Sequence, residues 1–170
     1  MNSNLKFDFV VNKENNTIVV KREFAADLAL VWEAWTNPEI LDQWWAPKPC
    51  IAETKTMDFR EGGFWLYAMI IPENQKHWGR QDFEKIALHE YFSGTDVFCD
   101  ENGFVNPELP KGRFENVFSE AGGKTLVTII STHNSFEDLE EMIKMGFKEG
   151  FTMALENLDE VLLTLKNNGK

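Results

Sequence analysis

The strongest constraint on this chain is an apolar periodicity near its end. Leu139, Met142, Ile143, Phe147, Phe151, Ala154, Leu158, Val161, Leu162 and Leu165 recur at three- and four-residue steps, which places them on one stripe of an α-helix. Asn134 and Ser135, each followed three residues later by an acid (Glu137, Asp138), give two overlapping capping-box starts. The pattern predicts one amphipathic helix of about 30 residues, about 45 Å long. Gly146, Gly150 and Ala154 fall at i, i+4 and i+8 on its inner side. Glycine inside a helix costs about 1 kcal/mol relative to alanine, so the two glycines imply close packing, a kink or space for a cavity.

Everything from residue 50 to residue 133 reads as strand. Residues 51–59 alternate, Gly62-Gly63 marks a hairpin, and 64–71 is rich in aromatic and β-branched residues. Pro72–Lys76 is a turn. Strands are expected at 77–87 and 89–98 and, beyond a loop with Gly103, Pro107 and Pro110, at 112–119 and 124–132 through Gly122-Gly123. Upstream, strands at 5–11 and 17–25 flank the turn-rich Asn12–Asn16. Asp27 caps a helix over 28–36, and Asn37-Pro38 starts a second short helix that ends at Trp44-Trp45. The fold class is therefore α+β: a curved antiparallel meander around a long C-terminal helix, with the two short helices plugging one end. A straight helix cannot touch a curved sheet everywhere, and a ligand would occupy the gap.

Charge and length limit the function. The chain has 170 residues with 17 Lys+Arg against 28 Asp+Glu, a net charge of −11. That balance argues against nucleic acid and anionic membrane as partners. Its longest apolar runs, such as Ala68–Ile71, are far short of the roughly 20 residues of a membrane span. The first residues lack the pattern of a signal peptide, so the cytoplasm is the expected compartment. Residues 1–170 are expected to form one domain. Cys50 and Cys99 are distant and outside any metal-ligand spacing, which favours reduced structural thiols.

Several segments resemble a known family. These are Arg22–Ala26, Val31–Glu39 (VWEAWTNPE), Trp44–Pro47 (WWAP), Asp58–Gly63 (DFREGG) and the terminal Gly146-Phe147, Gly150-Phe151 and Leu155–Leu158. They are similar, over about residues 17–166, to the family named for homology to the C-terminal domain of the activator of heat-shock-protein-90 ATPase. That family belongs to the START-like (SRPBCC) superfamily with the helix-grip fold of birch-pollen-type allergens. The resemblance implies the same fold. It implies three functions of different classes: a carrier of a small apolar, aromatic or lipid-like ligand, a chaperone-ATPase-modulating protein of stress responses, or a cyclase- or hydrolase-like enzyme. Fold alone does not choose among them. Monomer and homodimer are both open.

The candidate ligand-binding residues are Trp44, Trp65, Tyr67, Phe83, His89, Phe114, Phe118, Phe147 and Phe151. The aromatic rings either fill the core or line the gap. Trp44 and Trp45 compete for burial on a short helix, so one is expected at a pocket lip or partner surface. His89, placed on a strand in alternation with Phe83, Lys85 and Ala87, would orient a ligand. Of the other histidines, His77 is isolated and His133 lies between Ser131 and Ser135 without a nucleophile-elbow motif. No histidine has ligand spacing to another His or Cys, and no metal or cofactor is expected. Arg80, Asp82 and Glu84 share one strand face; the outward, solvated reading leaves fewer buried charges than the inward one. Glu137, Asp138, Glu140, Glu141, Glu149, Glu156, Asp159 and Glu160 are expected on the solvent face of the terminal helix, with Glu140–Lys144 as an i,i+4 pair.

Overall fold

The computed structural model describes residues 5–168. Its eight strands are β1 (Phe7–Asn12), β2 (Thr17–Phe24), β3 (Ile51–Met57), β4 (Phe64–Ile71), β5 (Gln75–Ala87), β6 (Tyr91–Cys99), β7 (Gly112–Ala121) and β8 (Lys124–His133). They form one antiparallel sheet in the order β1-β2-β8-β7-β6-β5-β4-β3. Strands β3 to β8 are thus a continuous meander, and β2 joins its far end by pairing with β8. Helices α1 (Leu28–Thr36) and α2 (Pro38–Trp44) sit between β2 and β3 in sequence. Both start as the sequence dictates: Asp27 accepts from the Leu30 amide, and Asn37 accepts from the Glu39 amide with Pro38 in the first turn. The curved sheet and terminal helix make this a helix-grip fold.

The terminal helix is two helices. The α3 segment (Phe136–Lys144) is capped by Ser135, whose hydroxyl accepts from the Asp138 amide, and α4 runs from Phe147 to Asn168. Gly146 separates them at φ +89, a left-handed conformation that favours glycine. The continuous helix expected from the periodicity is therefore broken: α4 keeps its apolar stripe inward, while α3 buries only Leu139 and leaves Ile143 exposed.

Packing joins the layers through a few named contacts. Leu139, Ala154, Leu155, Leu158 and Leu162 are buried against Val20, Phe24, Trp35 and Trp44 in one core. Each fully buried Leu contributes about 2 kcal/mol by leaving water. Trp44 donates Nε1–H to the Ala34 carbonyl at 3.0 Å, fixing α2 on α1. Asn157 on α4 donates to the Ala46 carbonyl at 3.1 Å. Arg22 on β2 is buried and ion-paired with Asp159 on α4. Asp159 therefore leaves the acidic solvent face to which its spacing assigned it. Glu140 pairs with Lys13 at 3.8 Å and makes no ion pair with Lys144 among the described residues.

Two strand expectations also change. A bulge between Phe83 and Lys85 breaks the alternation of β5. The chain then turns at residues 88–90, with His89 at φ +64. His89 is thus in a hairpin turn and not on a strand. Its ring meets the edge of Trp32 at 5.9 Å. Cys50 and Cys99 are free thiols. No helix among the described residues is long and apolar enough to cross a membrane.

Candidate functional site

Strand pairing sets up the site. Across the sheet, Trp65 pairs with Gln81, Gln81 with Asp96, Asp96 with Gly112, and Gly112 with His133. Directly paired residues point to the same face, so this row carries Asp96 and His133 inward on either side of a residue with no side chain. The adjacent row pairs Tyr67 with Gly79, and Gly79 with Phe98. Gly79 and Gly112 put no side chain on this face, and their neighbours close in over both. Above them lies a cavity of about 270 Å³.

Aromatic and thioether groups make most of its wall. Trp45, Tyr67, Met69 and Phe98 stand on one side, and Phe147 and Phe151 descend from α4, with Met142, Met145, Gly146 and Gly150 completing the roof. Phe147 and Phe151 stack with centroids 5.4 Å apart, as their four-residue spacing on a helix allows. Tyr67 stacks on Trp65 at 4.2 Å. Its phenol occupies the space over Gly79, where a Cβ would lie 2.7 Å from the Tyr67 hydroxyl.

The other end is polar. Asp96, Ser131 and His133 line it, with Lys111 at an exposed rim. A Cβ on Gly112 would lie 3.2 Å from Asp96 Oδ1 and 3.3 Å from His133 Nδ1. Asp96 has no ion-pair partner and no side-chain hydrogen bond to another residue among those described. It keeps some accessible surface, which faces the cavity, yet protein surrounds it. Burial therefore raises its carboxyl to a pKa of about 6, its own backbone amide offsetting only part of the effect. Burial also lowers His133, against opposing effects of Asp138 and the Lys111 backbone. Ser131 Oγ and His133 Nε2 are 3.1 Å apart. His133 Nδ1 is buried without a well-formed hydrogen bond among the described residues, so the pair lacks the carboxylate that orients a hydrolytic triad. Burial pushes the Tyr67 phenol upward, and the nearby Trp45 indole N–H offsets this only in part.

Of the residues singled out in the sequence, Tyr67, Phe147 and Phe151 come together on the cavity wall. Trp44, Trp65, Phe83, Phe114 and Phe118 are buried in the core and do not line the cavity. His89 lies outside it. The lip falls to Trp45, partly exposed beside a fully buried Trp44. Asp96, His133 and Phe98 were not assigned to the site from sequence. The available signal was the two-residue alternation of Phe92, Gly94, Asp96 and Phe98, which puts an acid in an aromatic row.

The Arg80, Asp82 and Glu84 row faces the other side of the sheet. Arg80 pairs with Asp82 at 3.0 Å and bonds the Gly103 carbonyl, and Glu84 pairs with Arg113 at 2.8 Å. Each of these charges has a partner, and Arg80 and Asp82 border a separate open cleft with Lys55 and Asn102.

Comparison with known proteins agrees with this architecture. A protein of Arthrobacter aurescens, solved in solution, is 32% identical and superposes with a TM-score of 0.87, covering 92% of this chain and 91% of its own. A Mycobacterium smegmatis protein is 29% identical with a TM-score of 0.85, over 93% of this chain and 96% of that one. A Staphylococcus epidermidis protein is 25% identical with a TM-score of 0.80, over 91% and 94%. Comparison with curated proteins gives no significant match. Residues 25–163 match the family described as Activator of Hsp90 ATPase homolog 1-like protein, and with that match across most of its length the chain belongs to this family.

Proposed function

We propose that this protein binds a small apolar or aromatic molecule in the cavity between the sheet and α4. The observation that supports the reading is the division of one cavity into an aromatic–thioether wall and a compact polar end. Apolar walls drive binding by removing ligand surface from water, and a few polar groups set its orientation. The Ser131–His133 pair without an orienting carboxylate gives a hydrolytic reading less support than a binding one.

The test is native mass spectrometry of the purified protein, followed by fluorescence titration with a panel of apolar aromatic compounds. Of the six tryptophans, only Trp45 lines the cavity. A saturable signal that disappears in Trp45→Phe, with binding retained by calorimetry, supports the reading. Absence of any retained or titratable molecule, together with a protein-dependent change in a heat-shock chaperone's ATPase rate, overturns it in favour of the interaction role that the family description suggests.

A further inference from the structure

The cavity contains a charge without a partner. Asp96 ionises at the polar end of the cavity, and no cation among the described residues lies within ion-pair distance of it. An uncompensated buried carboxylate is costly, and its raised pKa reflects that cost. The space directly over Gly112 is closed, since a Cβ there would already meet the Thr132 carbonyl at 3.1 Å and Asp96 Oδ1 at 3.2 Å. Asp96 itself lines the cavity, so a ligand head group there can reach its carboxylate. Trp45, Tyr67 and Phe98 line the same cavity. Aromatic faces stabilise a cation once water is removed. A protein with a net charge of −11 also concentrates cations near its clefts.

We propose that the ligand is an amine carried on an apolar or aromatic body, bound in the cavity as its ammonium ion with an N–H donated to the Asp96 carboxylate. This rests on the cavity being a ligand site, and it adds the charge and chemical class of the head group. Ser131 accepts or donates beside it at the polar end of the cavity, and His133 stays neutral there.

The groups facing Asp96 set the controls. From β5 it meets Gln81, from β4 the Tyr67 phenol, from β7 Gly112, and from β8 Ser131 and His133. Cys99 lies further along β6, Lys111 is at the rim, and the α3–α4 roof over the cavity is apolar, with Asp138 acting on His133. Among the described residues, Lys111 is the one lysine or arginine on the cavity lining. If it sets the charge preference, the cavity will favour carboxylates.

Calorimetric titration of phenylbutylamine, phenylbutanol and phenylbutyrate into the intact protein tests the proposal. The amine is expected to bind about ten- to a hundredfold more tightly than the alcohol, the range of a charge-assisted hydrogen bond, with the carboxylate weakest. Asp96→Asn, nearly identical in size, should remove the amine's advantage and keep alcohol binding. In the unaltered protein the same advantage should shrink as pH falls through about 6. His133→Asn, which cannot titrate, separates protonation of Asp96 from protonation of His133. Equal binding of amine and alcohol, tightest binding of the carboxylate, or an advantage that survives Asp96→Asn overturns the proposal and leaves the cavity reading standing. Failure of all three compounds to bind overturns both.

Discussion

Gly79 and Tyr67 are cross-strand partners, and the ring of one occupies the place of the other's absent side chain. A Cβ at Gly79 would approach the Tyr67 hydroxyl to 2.7 Å and Cζ to 2.8 Å. The phenol is held down on the sheet because nothing stands beneath it, and the cavity above it exists for the same reason.

Gly79→Ala should therefore lift the Tyr67 ring into the cavity. The expected cost is about 1–3 kcal/mol, typical of overpacking, read by urea unfolding, with weaker binding of any cavity ligand. In Tyr67→Ala the same substitution should be nearly neutral. An equal cost in both backgrounds would show that the clash lies elsewhere.

The Arg22–Asp159 pair joins β2 to α4, with Arg22 almost wholly buried. Asp159→Ala leaves that guanidinium without its counter-charge and should cost about 3–5 kcal/mol. The double variant Arg22→Met with Asp159→Leu should recover most of it, since apolar groups of similar volume suit the site. Chemical denaturation of the single and double variants checks both statements.

Asp96 gives stability a pH dependence of unusual sign for a carboxylate. Its folded pKa of about 6 lies above the ordinary 3.8, so the native state binds the proton more tightly than the unfolded chain does. Between those values stability falls as pH rises, by up to about 3 kcal/mol from this group. Asp96→Asn should be more stable than the parent near neutrality, and the advantage should vanish on acidification to about pH 4. His133 works in the opposite sense. Its folded pKa is lowered, so its contribution is present above the unfolded value and lost as pH falls. The difference between parent and Asp96→Asn, measured by denaturation across this range, isolates the carboxyl.

Gly146 stands at φ +89 between α3 and α4. Gly146→Ala should cost about 1–2 kcal/mol through backbone strain alone, since only Glu149 Oε1, at 4.0 Å, would be near the added methyl. Gly146→Asn, which tolerates this conformation better, should cost less. Thermal melts of the two variants decide the point, and equal losses would mean that the side chain is the cause.

Much of this architecture is legible in the sequence because local rules and global fold agree. Asp27, Asn37 and Ser135 cap where a cap is expected, and the pairs Gly122-Gly123 and Asn15-Asn16 fall between strands. The cavity was harder to read. Trp44 and Trp45 are adjacent and chemically identical, and only the packing of α2 on α1 sends one to the core and the other to the wall. His89 sits in the turn between β5 and β6 at a left-handed φ of 64, a conformation that the apolar alternation around it does not signal. Asp96 was missed because its neighbours on the cavity, Gly112 and His133, are distant in sequence and meet only through strand register.

The broken terminal helix has a mechanical consequence. The tethers of α4 lie along its later turns: Ala154, Leu155, Leu158 and Leu162 in the core, Asn157 on Ala46, and Lys166 on the Ala25 carbonyl. Leu139 anchors α3 from the other side. Between these anchors, residues 142–151 roof the cavity with half-exposed or exposed side chains and a left-handed glycine. Segments with few buried contacts open first. Amide protons in this span should therefore exchange before those of 154–165, so that the roof can breach locally while the grip of helix on sheet stays closed.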